Sequence, residues 1–195
     1  MAPPRKHDTD RILDAARALV LRDGPRATSV AAIARESQAP VGTLYHRFGS
    51  RDGVLAAAWL RALERFQERA LAAAEDPDPL AAAVAMASSQ IRFARKQPQD
   101  AQLLLSMRRD DLLDADPDAR FRERLDAINA PLQSTLTRLA KALLGRADAR
   151  SLDTVARAVV DIPNAAIRRH TRGGGRLPTW LEDDVAGAAR RLLQQ

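Results

Sequence analysis

Residues 28–55 read Thr28-Ser29-Val30-Ala31-Ala32-Ile33-Ala34-Arg35-Glu36-Ser37-Gln38-Ala39-Pro40-Val41-Gly42-Thr43-Leu44-Tyr45-His46-Arg47-Phe48-Gly49-Ser50-Arg51-Asp52-Gly53-Val54-Leu55, and this stretch decides the fold. Val30, Ile33 and Ala34 recur at i, i+3, i+4, and Val41, Leu44, Tyr45 and Phe48 at i, i+3, i+4, i+7, the spacing of apolar residues along one side of a helix. Two short amphipathic helices joined by a tight turn follow. The second exposes small and hydroxyl side chains between apolar ones, as an element entering the DNA major groove requires.

Upstream, Ile12, Leu13, Ala16, Leu19 and Val20 form a helical stripe over 9–23, with Asp8 as the expected N-cap and Gly24-Pro25 as the stop. This helix is expected to pack across the other two. Met1 to His7 is expected to be a flexible arm. Downstream, Gly49-Ser50 breaks the chain before a long helix over about 51–75, whose Leu55, Ala58, Trp59, Ala62, Leu63 and Phe66 keep helical spacing.

The run Gly42-Thr43-Leu44-Tyr45-His46-Arg47-Phe48, followed by Ser50-Arg51-Asp52 and Leu55, resembles the signature of TetR-family transcriptional repressors. Several residue types agree at fixed spacing over the first quarter of the chain, which makes the motif more specific than a short lone match. The sequence also departs from that pattern. Gln38 stands where the family turn has Gly, so a positive φ there would carry mild strain. Pro40 replaces a Ser cap and brings no capping oxygen. His46 and Arg47 are in reverse order, and Arg51 replaces Lys, exchanging a point charge for a bidentate fork.

Asp76-Pro77-Asp78-Pro79 is expected to start a further helix, with Asp78 as N-cap and Pro79 at the first helical position, and Pro98 is expected to end it. A helix over about 99–113 carries Leu103, Leu104 and Met107. Asp116-Pro117 begins the next, which runs to Gly145 with Pro131 kinking its middle. Another, from Ser151 to about His170, is interrupted at Pro163; after Gly173-Gly174-Gly175 a last helix carries Leu181, Val185, Ala188 and Leu192. No strand, wing hairpin or repeat is legible. The expected fold is all-α with about nine helices, and the resemblance implies its division into a helix-turn-helix DNA-binding domain (1–55) and a helical effector-binding and dimerisation domain (56–195).

Composition narrows the function. At 46% hydrophobic residues the 195-residue chain is an ordinary folded protein. It has no apolar run long enough to span a bilayer and no signal-peptide core, so a cytoplasmic location with no membrane partner is expected. It contains no cysteine, which removes thiolate catalysis and Cys-ligated zinc. His7, His46 and His170 lack ligand spacing, so no metal or cofactor is expected. The net charge is +6, but residues 1–60 carry nine Arg and Lys against six Asp and Glu, so charge is not concentrated in the DNA-binding part. Motif geometry carries the DNA argument.

At the start of the reading helix Val41 offers a methyl contact to thymine, Gly42 a close backbone approach and Thr43 a hydroxyl, with Pro40 beside them. The resemblance implies phosphate contacts from Thr28, Ser29, Tyr45, His46 and Arg51, against which stand a half-buried core role for Tyr45 and a solvated charge for Arg51. It also implies an effector pocket in the C-terminal body. The candidate lining residues are Trp59, Phe66, Met86, Phe93, Met107 and Phe121, with ordinary core packing as the competing reading for each. Gln90, Arg108, Arg109 and Asn164 are further polar candidates.

The expected function is a ligand-responsive, sequence-specific transcriptional repressor, a homodimer released from a palindromic double-stranded DNA operator by a small apolar or aromatic effector. It is not expected to be an enzyme, since no nucleophile–base pair, metal spacing or phosphate loop is present. The alternatives are an activator of the same family, an architectural DNA-binding protein indifferent to sequence, and a small helical ligand-binding protein or enzyme using the same cavity. Dimerisation is expected from the stripes Leu152, Val155, Val159 and Leu181, Val185, Leu192, which exceed what one subunit obviously needs to bury.

Overall fold

Helix boundaries follow the caps and breakers in the chain. The computed structural model describes residues 5–107, 119–171 and 175–194, with side chains from residue 9 in the first segment and from 121 in the second. Among the described residues every regular element is helical: α1 (Arg5–Asp23), α2 (Val30–Ser37), α3 (Val41–Phe48), α4 (Arg51–Ala73), α5 (Pro79–Lys96), α6 (Pro98–Ser106), α7 (Ala119–Leu144), α8 (Ala149–Ala156), α9 (Ile162–Thr171) and α10 (Leu181–Leu193). A π-helical turn, Arg157–Asp161, joins α8 to α9 without a break, so the described residues form nine separate helical rods. The fold class is the expected one.

The Asp78 carboxylate accepts from the N–H groups of Leu80 and Ala81, with Pro79 beginning α5 where its missing N–H costs nothing. Asp148 caps α8 by accepting from the Ser151 N–H at 2.8 Å, and that bond holds its carboxyl below the usual aspartate range. Gly24 ends α1 at φ +85°, a conformation that costs glycine little.

Several boundaries differ from expectation. Because α1 begins at Arg5, Asp8 lies inside the helix rather than capping it, and Arg5 to His7 belong to the helix rather than to an arm. Met1 to Pro4, Asp116-Pro117 and Gly173-Gly174 lie outside the described residues. The interruption expected at Pro163 falls just before it, as the π turn. Pro163 has no N–H for the Val159 carbonyl four residues earlier, and its ring crowds that turn. The side-chain amide of Gln90 on α5 donates to the Val159 carbonyl instead.

Contacts gather the chain into two units, residues 1–63 with 99–122, and residues 64–98 with 123–195. In the first, α1 packs on α2 and α2 on α3. Ile12, Ala16 and Leu19 from α1, Ile33 from α2, Leu44 from α3 and Val54 from α4 are all buried. An ionic network supports this core: Arg61 on α4 binds Asp10 at 2.9 Å and Asp14 at 2.6 Å, and Arg17 binds Asp14 at 3.1 Å and the buried Asp100 of α6.

In the second unit α5 packs against α10, the π turn and α9, burying Met86, Ile91 and Phe93. Val155, Val159, Leu181 and Val185, assigned from sequence to a subunit interface, are buried within this unit. Their stripes are largely used in folding the single chain. Leu152 and Leu192 are half-buried, and Trp180 is exposed.

Candidate nucleic-acid interface

The α2–turn–α3 segment is built by local hydrogen bonds. Ser29 caps α2, its hydroxyl accepting from the Ala32 N–H at 3.1 Å. At the other end Gln38 is left-handed (φ +56°, ψ +29°), and the Ala39 N–H returns to the Ala34 carbonyl at 3.0 Å. That is the helix-ending geometry glycine favours. The Gln38 side chain is held by Arg11 Nη2, which donates to its Oε1 at 2.8 Å. Pro40 then opens α3 with no side-chain cap, and its carbonyl accepts from the Thr43 N–H in the first turn at 2.9 Å.

Leu44 is wholly buried and fixes the rotation of α3. The side chains flanking it are exposed, Val41 at 43% and Tyr45 one turn later at 52%, as are Gly42 and His46 on the far face, while Thr43 is half-buried. A Cβ built on Gly42 meets nothing within 4 Å. Val41, Gly42, Thr43, Tyr45 and His46 are thus brought to one exposed helix. Phe48, expected in the core, is half-buried at the end of α3.

The other candidates are placed differently. Thr28 is buried at 1% exposure, and its hydroxyl donates to the Gly24 carbonyl. The Ser29 hydroxyl is engaged in its cap. Arg51, the first residue of α4, has its guanidinium on the carbonyls of Thr28 and Pro25 and on the Asp52 carboxylate. These three residues hold the loop before α2.

Sequence reasoning missed three supporting residues. Arg47 donates to the Thr9 hydroxyl at 2.9 Å, tying α3 to α1. Arg11 restrains the turn. Gly53 is needed for space, because a Cβ there would come within 1.9 Å of the Phe48 carbonyl oxygen. A glycine in the first turn of a long helix is the readable signal for it.

The effector candidates divide between the units. Trp59, Met107 and Phe121 are buried in the first, where the Trp59 indole N–H has no partner among the described residues. Met86 and Phe93 are buried in the second and Phe66 is half-buried there, with the Phe66 and Phe93 rings edge-to-face at 5.4 Å between centroids. Gln90 is buried and Asn164 half-buried, while Arg108 and Arg109 lie outside the described residues. Two open surface cavities in the second unit have other linings. One, of about 560 Å³, is bordered by Arg146, Arg150, Arg157 and Leu192; the other, of about 510 Å³, by Arg169, His170, Trp180 and Leu181.

Residues 12–58 match the family model described as bacterial regulatory proteins, tetR family. The folded chain is also similar to solved structures across nearly its whole length. A TetR-like transcriptional regulator from Rhodococcus sp. RHA1 is 22% identical, with 97% of each chain covered and a TM-score of 0.70. The regulator PfmR from Thermus thermophilus is 23% identical, with 95% of this chain and 98% of that one covered and a TM-score of 0.65. A TetR-family regulator from Marinobacter aquaeolei VT8 is 14% identical, with 96% of each covered and a TM-score of 0.74. No curated protein compared with the chain matches it significantly.

Proposed function

We propose that this chain, a TetR-family regulator by its N-terminal helix-turn-helix and its overall fold, is a ligand-responsive, sequence-specific repressor. The observation that carries the reading is the exposed face of α3. Val41 and Tyr45 lie in solvent on an eight-residue helix whose buried Leu44 and left-handed Gln38 turn hold it at a fixed angle. Exposing an aromatic and a branched aliphatic residue is unfavourable in water and useful in a groove lined by base edges and thymine methyls. Thr43 would add a hydroxyl to base or phosphate, while His46, Arg51 and the loop of Thr28 and Ser29 would meet the backbone.

The functional division follows: residues 1–55 read DNA, and residues 56–195 bind effector and partner subunit. The protein would act as a homodimer on a palindromic operator in the cytoplasm, without enzymatic activity. Its dimer surface would draw on Trp180 and the half-buried Leu152 and Leu192 rather than on the buried valines. Effector binding in the second unit, near Phe66, Met86 and Phe93, would favour a state in which the two reading heads no longer fit successive major grooves.

Selection from a random duplex library, followed by competition gel shifts, tests the DNA reading. An enriched palindrome that outcompetes shuffled DNA is the expected result; binding indifferent to sequence would leave only architectural binding. Transcription in vitro from the selected site separates repression from activation. Light scattering is expected to give a dimer at micromolar concentration, and a monomer would remove the palindromic model.

A further inference from the structure

We infer that the effector of the second unit is a neutral, largely aromatic molecule with an O–H or N–H donor, received by the side-chain oxygens of Gln90 and Gln67. This rests on the effector-responsive reading above and names the ligand chemistry of its site.

Gln90 is 1% exposed on α5, and its amide orientation is fixed by what it touches. Its Nε2 donates to the Val159 carbonyl, which Pro163 cannot serve. Turning the amide over would set oxygen against oxygen. Oε1 is therefore committed to the other direction, and there it is buried with no hydrogen-bond partner among the described residues. A buried acceptor left so is costly and calls for an explanation.

Gln67 on α4 repeats the arrangement. It is 3% exposed, its Nε2 donates to Asn129 Oδ1 at 2.8 Å, and its Oε1 is likewise buried and unpartnered. The two residues belong to neighbouring stretches of the same unit. Phe66, beside Gln67 in the chain, meets edge-to-face with Phe93, which follows Gln90 by one helical turn.

The chemistry of the ligand follows from these groups. Both unpaired atoms are acceptors, so the ligand must donate. The edge-to-face pair Phe66–Phe93, one and three residues from these glutamines in the chain, suits an aromatic body. The buried polar residues described in this unit are Gln67, Ser88, Ser89, Gln90 and Ser151, all uncharged. An ionised ligand would find no counter-charge among them to offset its desolvation.

Three probes on one propylbenzene frame test this: 4-propylphenol, 4-propylanisole, in which a methyl group replaces the donor hydrogen, and 4-propylbenzoate, which is charged. Isothermal calorimetry on the full chain is expected to give at least tenfold tighter binding of the phenol than of either other probe. A site made to pair a hydroxyl penalises an analogue that lacks it. Gln67→Met, which leaves the Gln90–Val159 bond alone, should narrow the phenol-to-anisole ratio severalfold; Gln90→Leu should do the same if it folds. Equal binding of phenol and anisole, as when ordered water already serves both oxygens, would overturn the inference. So would an unchanged ratio in Gln67→Met, or no binding of any probe. Gel shifts on the selected DNA keep the two readings apart. Release by anisole as readily as by phenol sinks the donor site and leaves the regulator standing, whereas tight phenol binding without release does the opposite.

Discussion

Arg51 Nε donates to the carbonyl of Thr28 at 2.6 Å, so the first residue of α4 grips the residue just before the cap of α2. The same guanidinium reaches the Pro25 carbonyl and Asp52. The group expected to meet a DNA phosphate is thus also a brace between α4 and the loop before α2. Both roles draw on the planar fork, which has five donors to divide among partners.

Replacing Arg51 should therefore act twice. Arg51→Ala is expected to lower stability by about 1–2 kcal/mol, since hydrogen bonds to charged groups are worth more than neutral ones and this site is partly open to solvent. It should also weaken binding to the selected palindrome and to random duplex alike, because phosphate contacts position without specifying. Arg51→Lys keeps the charge but not the fork, and should recover DNA binding more than stability. Urea melts beside gel shifts check this; a variant that melts and binds like the parent would deny both roles.

The Gln38 turn offers two substitutions with opposite signs. Gln38→Ala keeps the left-handed strain and loses the Arg11 contact, while Gln38→Gly loses the contact but relieves the strain. The glycine variant is expected to be more stable than the alanine variant by about 1 kcal/mol. Equal melting temperatures would mean that the turn relaxes away from φ +56° in solution.

Much of this fold was legible because helix signals are local. Asp78-Pro79 specifies a start within two residues, and the apolar spacing of Val30, Ile33 and Leu44 specifies which sides are buried. The stretch 28–55 could be assigned from its own residues. What escaped notice depends on pairs far apart in sequence. Arg47 looks like a surface base until Thr9 is beside it, and Gln90 like a stray polar residue until Pro163 deprives Val159 of a donor. In the two stripes Val155, Val159, Leu181 and Val185 are used within the chain while Leu152 and Leu192 stay half-buried, because periodicity shows that a face is apolar without saying whether its partner is the same chain. Thr28 shows a similar limit. A hydroxyl before a helix fits a phosphate contact or a backbone bond equally well in sequence, and here its donor goes to Gly24.

Base preference should depend on a methyl group. Among the exposed residues in the first turn of α3, Val41 has an aliphatic side chain and Gly42 has none. With the selected palindrome in hand, replacing each thymine in turn by deoxyuridine removes one methyl while keeping every hydrogen bond. One position should lose about 1 kcal/mol, of the order of one buried methyl group. That loss should vanish in Val41→Ala, as expected of two partners in one contact. Thr43→Ala should instead alter which bases are preferred. If no uridine position matters, the helix enters the groove by a different edge.

The last expectation concerns Arg17 and Asp100, an ion pair inside the first unit. Asp100 is 2% exposed, and Arg17 is shared between it and Asp14 at 3.1 Å. Removing one partner of a buried pair costs more than the pair contributes, because the remaining charge stays out of water. The two halves are not equivalent here. Arg17→Met leaves a carboxylate at a buried site and is expected to cost about 3 kcal/mol. Asp100→Ala leaves an arginine that still has Asp14, and should cost less. The double variant should be less destabilised than the sum of the two, since the second change removes the buried carboxylate that the first deprived of Arg17. Denaturant melts of the four proteins measure this directly. A double variant equal to the sum would show that the contact between α1 and α6 does not contribute to stability as a pair.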